Sequence, residues 1–171
     1  MSTSIREAVP GDAAALAAVH VRSWRAAYRG LLPGSYLDSL DPEERGAVWR
    51  ARLAAPDRPT VLLAAAADGR VVAFSCFRAA DEAADRTAEL AALYSLPEVW
   101  GTGVGRALLA ASTEALVAAG FRTATLWVFA GNARGRRFYE AAGWRPDGTS
   151  VRDVTGGREL EELRYRRDLF I

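Results

Sequence analysis

Leu93-Tyr94-Ser95-Leu96-Pro97-Glu98-Val99-Trp100-Gly101-Thr102-Gly103-Val104-Gly105-Arg106 joins an apolar run to a helix through a loop with glycine at every second position. The run over 87–96 is nearly unbroken, as expected for a central strand covered on both faces, and Pro97 stops it. Successive N–H groups at such a turn can point into one concavity, and the helix N-terminus adds partial positive charge. Glycine lets the backbone approach a ligand without a Cβ in the way. Arg106, in the first helical turn, can add a charge-assisted bond. The ligand chemistry suited to this is a diphosphate, triphosphate or pyrophosphate.

Three nucleotide readings compete with a plain tight connection. A P-loop needs a Gly-Lys-Ser/Thr ending that is absent. A dinucleotide fingerprint needs a third glycine where Arg106 stands. The third reading is a coenzyme A pyrophosphate loop.

Outward from this loop, the chain reads as one mixed α/β domain over residues 1–171. A strand over 4–9 is followed by Pro10-Gly11-Asp12, with Asp12 placed to cap a helix over 13–28. A short helix or turn covers 34–40. Asp41-Pro42-Glu43-Glu44 then opens a helix reaching about residue 54. Residues 60–66 and 70–78 form a hairpin across Asp68-Gly69. The polar segment 79–86 is an inter-strand loop. After the glycine loop come a helix to about 119, a strand over 123–129 and a helix over 133–142. One or two strands end the chain, 160–169 the clearer.

Composition narrows the function. Of the 171 residues, 25% are charged and 50% hydrophobic, with a net charge of +1, so the chain is neither disordered nor a nucleic-acid binder acting through bulk charge. All 22 basic residues are arginine, which excludes Schiff-base lysine chemistry. A lone cysteine, Cys76, and a lone histidine, His20, exclude an internal disulfide and a multi-His or Cys-based metal site. No apolar run reaches membrane-spanning length, and the opening residues lack the apolar core of a signal peptide. The expected compartment is the cytoplasm, with no membrane or nucleic-acid partner and no metal.

At this point the sequence resembles the GNAT superfamily of N-acetyltransferases. Its signature [QR]-x-x-G-x-[GA] matches at Gly103 and Gly105, with Trp100 in place of Gln or Arg. A second motif also resembles the family: Asn132, then Phe138-Tyr139-Glu140 and Gly143-Trp144. The opening Ile5-Arg6, Gly11-Asp12 and the run from Ser23 through Trp24 and Tyr28 to Pro33 resemble a bacterial subgroup. The resemblance spans roughly residues 4–168.

It implies a mixed, mostly antiparallel sheet of six or seven strands flanked by four helices, with its fourth and fifth strands splayed. It implies acetyl transfer from acetyl-CoA to an amine within a ternary complex. Gly101, Thr102, Gly103, Val104, Gly105 and Arg106 would then hold the pyrophosphate. The backbone of Leu93, Tyr94 and Ser95 would pair with the pantetheine arm, the Leu93 N–H polarising the thioester carbonyl. Asn132 would cap its helix and meet the pantetheine. Glu89 is the candidate base, because a carboxylate in an apolar strand is costly unless paired or used. Tyr139 is the candidate acid toward the leaving sulfur, and Trp24, Tyr28 and Tyr36 fall where the acceptor pocket is lined.

Plainer readings stand beside these. Glu89 can pair with an arginine, and Tyr139 and the acceptor-side aromatics can be packing residues. Arg134, Arg136 and Arg137 either meet the 3′-phosphate of coenzyme A or form a solvated helix face. His20 and Cys76 read as packing residues. The rival class is a non-catalytic acyl-CoA-binding sensor or interaction module. A homodimer pairing through 160–169 is a further expectation.

Overall fold

The computed structural model describes residues 2–80 and 86–169. Of the inter-strand loop expected over 79–86, residues 81–85 lie outside the described residues. Among the described residues seven strands form one sheet: β1 (Thr3–Glu7), β2 (Thr60–Ala66), β3 (Val71–Ala79), β4 (Thr87–Ser95), β5 (Thr123–Phe129), β6 (Arg145–Thr155) and β7 (Arg158–Asp168). Their order is β1-β2-β3-β4-β5-β7-β6, and every neighbouring pair is antiparallel except β4–β5. The helices are α1 (Ala13–Ala27), α2 (Gly34–Ser39), α3 (Pro42–Ala54), α4 (Val104–Ala118) and α5 (Ala133–Ala141). The fifth helix beyond the expected four is the six-residue α2.

Local chemistry accounts for most boundaries. Asp41 caps α3 by accepting from the Glu43 N–H at 2.9 Å, with Pro42 at the first position. Asp12 behaves otherwise than expected: its carboxylate accepts from the Val9 N–H at 2.8 Å and from Arg6 at 2.9 Å, and makes no cap bond to α1. The ion pair with Arg6 and the turn at Pro10 take both oxygens. The expectation for 160–169 also changes. β7 pairs with β5 on one edge and β6 on the other, so this segment cannot pair across subunits; β1 and β6 are the outer strands.

Two apolar clusters hold the layers together. One joins α1 and α3 to β2 and β3 through Leu16, Trp49, Leu63 and Phe74. The other packs α4 on β5 and β7 through Leu109, Leu116, Leu126 and Tyr165. Where α4 crosses β3, the buried Ser75 and Ser112 hydroxyls satisfy each other at 2.7 Å.

His20 is a packing residue. Its ring lies 4.9 Å from Tyr94 and its Nδ1 accepts from the Trp49 indole N–H at 3.3 Å. Burial, with Arg45 and Arg52 nearby, pushes its pKa down to about 3. An unfolded chain takes up this proton near pH 6.5 while the folded chain does not, so the contribution is complete above that pH and is lost progressively toward pH 3. Between pH 7 and 5 it should cost about 2 kcal/mol. Urea unfolding of the native protein and His20→Gln at both pH values checks this, and the variant should lose that part of the dependence.

Candidate active site

β4 and β5 pair only at Thr87–Thr123, Ala88–Ala124 and Glu89–Thr125, and then diverge. Beyond Glu89, strand β4 carries a register shift against β3 that leaves Ala91 unmatched. A bulge of this kind bends the strand and turns its edge. The result is a cleft of about 830 Å³ between the two strands. It corrects the expectation that β4 is covered on both faces: only Ala88 and Leu90 are buried, and residues 91–95 form a wall.

The phase of the β3–β4 ladder decides which backbone groups face the cleft. Leu96 N–H donates to the Val72 carbonyl at 2.9 Å. Alternation along an antiparallel pair then directs the Tyr94 amide groups toward β3 and those of Leu93 and Ser95 toward the open side. The Ser95 carbonyl is already taken, accepting from the Trp100 indole N–H at 3.0 Å. The free edge is therefore the Leu93 N–H and carbonyl and the Ser95 N–H. Tyr94 contributes its ring instead, packed at 6.1 Å on Trp24.

At the C-terminal end of β4 the glycine loop supplies donors. Gly101 has φ +74° and Gly103, the residue before α4, φ +91°, so both occupy the left-handed region that favours glycine. The first intrahelical bond of α4 runs from Ala107 N–H to the Gly103 carbonyl at 3.0 Å. The N–H groups of Gly103, Val104, Gly105 and Arg106 thus precede any helical acceptor. Thr102 turns its hydroxyl back to the Val99 carbonyl, and the Val104 side chain is buried, so only their backbones are available. The Arg134 guanidinium lies 3.3 Å from the centre of the Trp100 ring. Arg134 and Arg106 both line this end of the cleft. Of the other two arginines, Arg136 is bound to the Tyr165 hydroxyl at 3.0 Å and the Ala130 carbonyl at 3.1 Å, a structural role.

Asn132 is an N-cap, accepting from the Gly135 N–H at 3.0 Å while lining the cleft. Two turns later, Tyr139 stands in the same cavity between Phe138 and Trp144. Burial, with a smaller contribution from Tyr94, raises its pKa and favours the neutral phenol. Glu89 lies where the two strands part and pairs with Arg78 at 3.0 Å. It keeps a partly open face into the cleft.

The opposite wall is aromatic. Tyr28 meets Trp24 and Phe129 edge-on, each at 5.1 Å. Tyr36 is not part of this wall: its ring packs beneath Gly156 in the β6–β7 turn, helping that hairpin close over α2. His20 and Cys76 also stand outside the lining, and burial pushes the Cys76 thiol up to about 11, which keeps it unreactive. Phe129, Asp153 and Glu162 are among the lining residues that sequence reasoning did not single out. The last two sit in a tail where acidic and basic residues alternate, and nothing in that pattern singles them out.

A family model described as the acetyltransferase (GNAT) family matches residues 21–144. An uncharacterized N-acetyltransferase of Bacillus subtilis, YuaI, is 37% identical over 132 residues, covering 75% of this chain and 73% of its own length. The PaiA N-acetyltransferase of Thermoplasma acidophilum, solved with coenzyme A, superposes with a TM-score of 0.79 at 23% identity, covering 98% of this chain and 99% of that one. The structure of yncA from Salmonella typhimurium with acetyl-CoA gives 0.73 at 22% identity, covering 100% and 96%.

Proposed function

This chain belongs to the GNAT family of acetyltransferases, and from that premise we propose that it moves the acetyl group of acetyl-CoA directly onto a primary amine, without an acyl-enzyme. The observation that carries the reading is the continuity of three features in one cleft: free N–H groups at the start of α4, an open β4 edge and Tyr139. The residues present fit the coenzyme. A pyrophosphate suits the N–H groups of residues 103–106 together with Arg106. Arg134, held over Trp100, supplies a cation near the position where the family signature carries Gln or Arg. A pantetheine arm suits the Leu93 and Ser95 edge, as an added strand would.

Acetyl-CoA, when bound, supplies a thioester, an acyl group activated for transfer. The chain's own residues handle charge and protons around it. Leu93 N–H stabilises negative charge on the carbonyl oxygen. Glu89 accepts the proton that the attacking amine releases, directly or through water. Tyr139 donates a hydrogen bond to the departing sulfur. Its burial keeps the proton on the phenol, so the donor is present throughout the neutral range.

The test is thermal unfolding with acetyl-CoA, CoA and NAD in parallel, followed by thiol release with an amine panel. Ligand at about 100 times its Kd should add roughly 2.7 kcal/mol. Both CoA species should stabilise and NAD should not. No shift with either CoA species overturns the reading. A shift without turnover of any amine favours a non-catalytic acyl-CoA-binding module.

A further inference from the structure

The acceptor half of the cleft carries more negative charge than the reaction requires. Glu162 on β7 is paired in register with Phe129 on β5 and with Val151 on β6. Asp153 is two residues beyond Val151, on the same sheet face. Both carboxylates line the cleft with Trp24 and Tyr28. Among the described residues neither makes an ion pair. Asp153 accepts only its neighbour's N–H, from Val154 at 2.8 Å. Glu162 is half-buried, and burial together with Asp153 raises its pKa, the mark of a carboxylate without a counter-ion.

The nearby cations are committed elsewhere. Arg164 binds Asp147 at 2.6 Å, Arg158 the Leu31 carbonyl at 2.8 Å, and Arg78 holds Glu89 at 3.0 Å. The basic residues lining the cleft, Arg106 and Arg134, stand at the glycine-loop end. An independent observation points to a ligand here. The Tyr28 hydroxyl, deep in the cleft and within electrostatic range of both Tyr139 and Glu162, has no hydrogen-bond partner among the described residues.

We propose that the acceptor is an unbranched aliphatic amine with a second protonated nitrogen and no anionic group, a diamine or longer polyamine, whose far ammonium lies between Glu162 and Asp153. This rests on the acetyl-transfer reading and names its substrate class. The methylene chain would lie along Trp24, Tyr28 and Phe129, where an ammonium also gains from the ring faces. The Tyr28 oxygen would accept from the chain's nitrogen. An amino acid would bring its carboxylate against two others and be rejected, and a peptide N-terminus would leave the carboxylate pair unmatched.

The experiment is thiol-release kinetics on the full chain with acetyl-CoA and five probes: cadaverine, spermidine, pentylamine, lysine and an alanyl peptide amide. The kcat/KM for cadaverine should exceed that for pentylamine by at least about tenfold, the effect of one modest charge contact. Glu162→Gln, with folding checked by melting, should bring that ratio to within about twofold of one, chiefly through KM for cadaverine. Equal use of cadaverine and pentylamine, preference for lysine or the peptide, or no turnover of either polyamine overturns the proposal. In those cases the acetyl-CoA melting shift reports separately on the acetyl-transfer reading: shift retained, only the acceptor class falls; shift absent, both fall.

Discussion

Gly103→Asp should abolish coenzyme binding while leaving the protein folded. Gly103 precedes α4 at φ +91°, and a Cβ built there meets nothing within 4 Å. The cost to the fold is therefore backbone strain of about 1 kcal/mol, and Asp is among the residues that tolerate this region best. An Asp at this position can also accept from the free N–H groups of the first turn, as capping residues do. It then fills the donors proposed to hold the pyrophosphate and sets a negative charge in front of them. We expect Kd for CoA to rise at least about 100-fold, or roughly 2.7 kcal/mol. Calorimetric titration reads the affinity and thermal melting the fold. Gly103→Ala supplies strain without charge and should weaken binding less. Native affinity in Gly103→Asp would remove the loop from the coenzyme site.

Tyr139→Phe should separate binding from turnover. The substitution removes one oxygen and keeps the ring packed between Phe138 and Trp144. Losing the donor to the leaving sulfur should lower kcat by about 10²-fold, the lower range for a positioned proton donor. The Kd for CoA should change less than about twofold, since the loop and the β4 edge are untouched. Steady-state kinetics with calorimetry checks both numbers. Because burial raises the Tyr139 pKa, activity should not fall through the ordinary phenol range on the alkaline side. Unchanged kcat would assign Tyr139 to packing. Glu89→Gln is the companion variant. Glu89 is held by Arg78, so its loss also releases a cation at the vertex of the cleft.

The parts of the site legible in the sequence share one property: each is encoded by neighbours in the chain. Pro97 ends a strand, glycines at alternate positions force a turn, and Asn132 caps the helix that carries Tyr139. These are short-range steric and hydrogen-bonding rules, so the elements and the Gly101–Gly103–Gly105 loop could be read directly. Similarity to the family added the roles proposed for Leu93 and Glu89. Tyr36 shows where this fails, because being near the acceptor region in sequence did not place its ring in the cleft. The β6–β7 turn landed on it instead.

What required the tertiary structure is long-range. Burial in a seven-stranded sheet depends on strand order, and the chain's local pattern does not say that β7 lies between β5 and β6. That order removes 160–169 from any outer edge. It also sets Glu162 beside Phe129 and in the same cleft as Tyr28, residues separated from it by more than thirty and a hundred positions in the chain. The stacking of Arg134 on Trp100 likewise joins α5 to the loop between β4 and α4. Local sequence determined the elements and the glycine cradle, since backbone sterics act within a few residues. The charge of the proposed acceptor pocket was decided by sheet topology, since electrostatic and packing partners meet only when distant strands align.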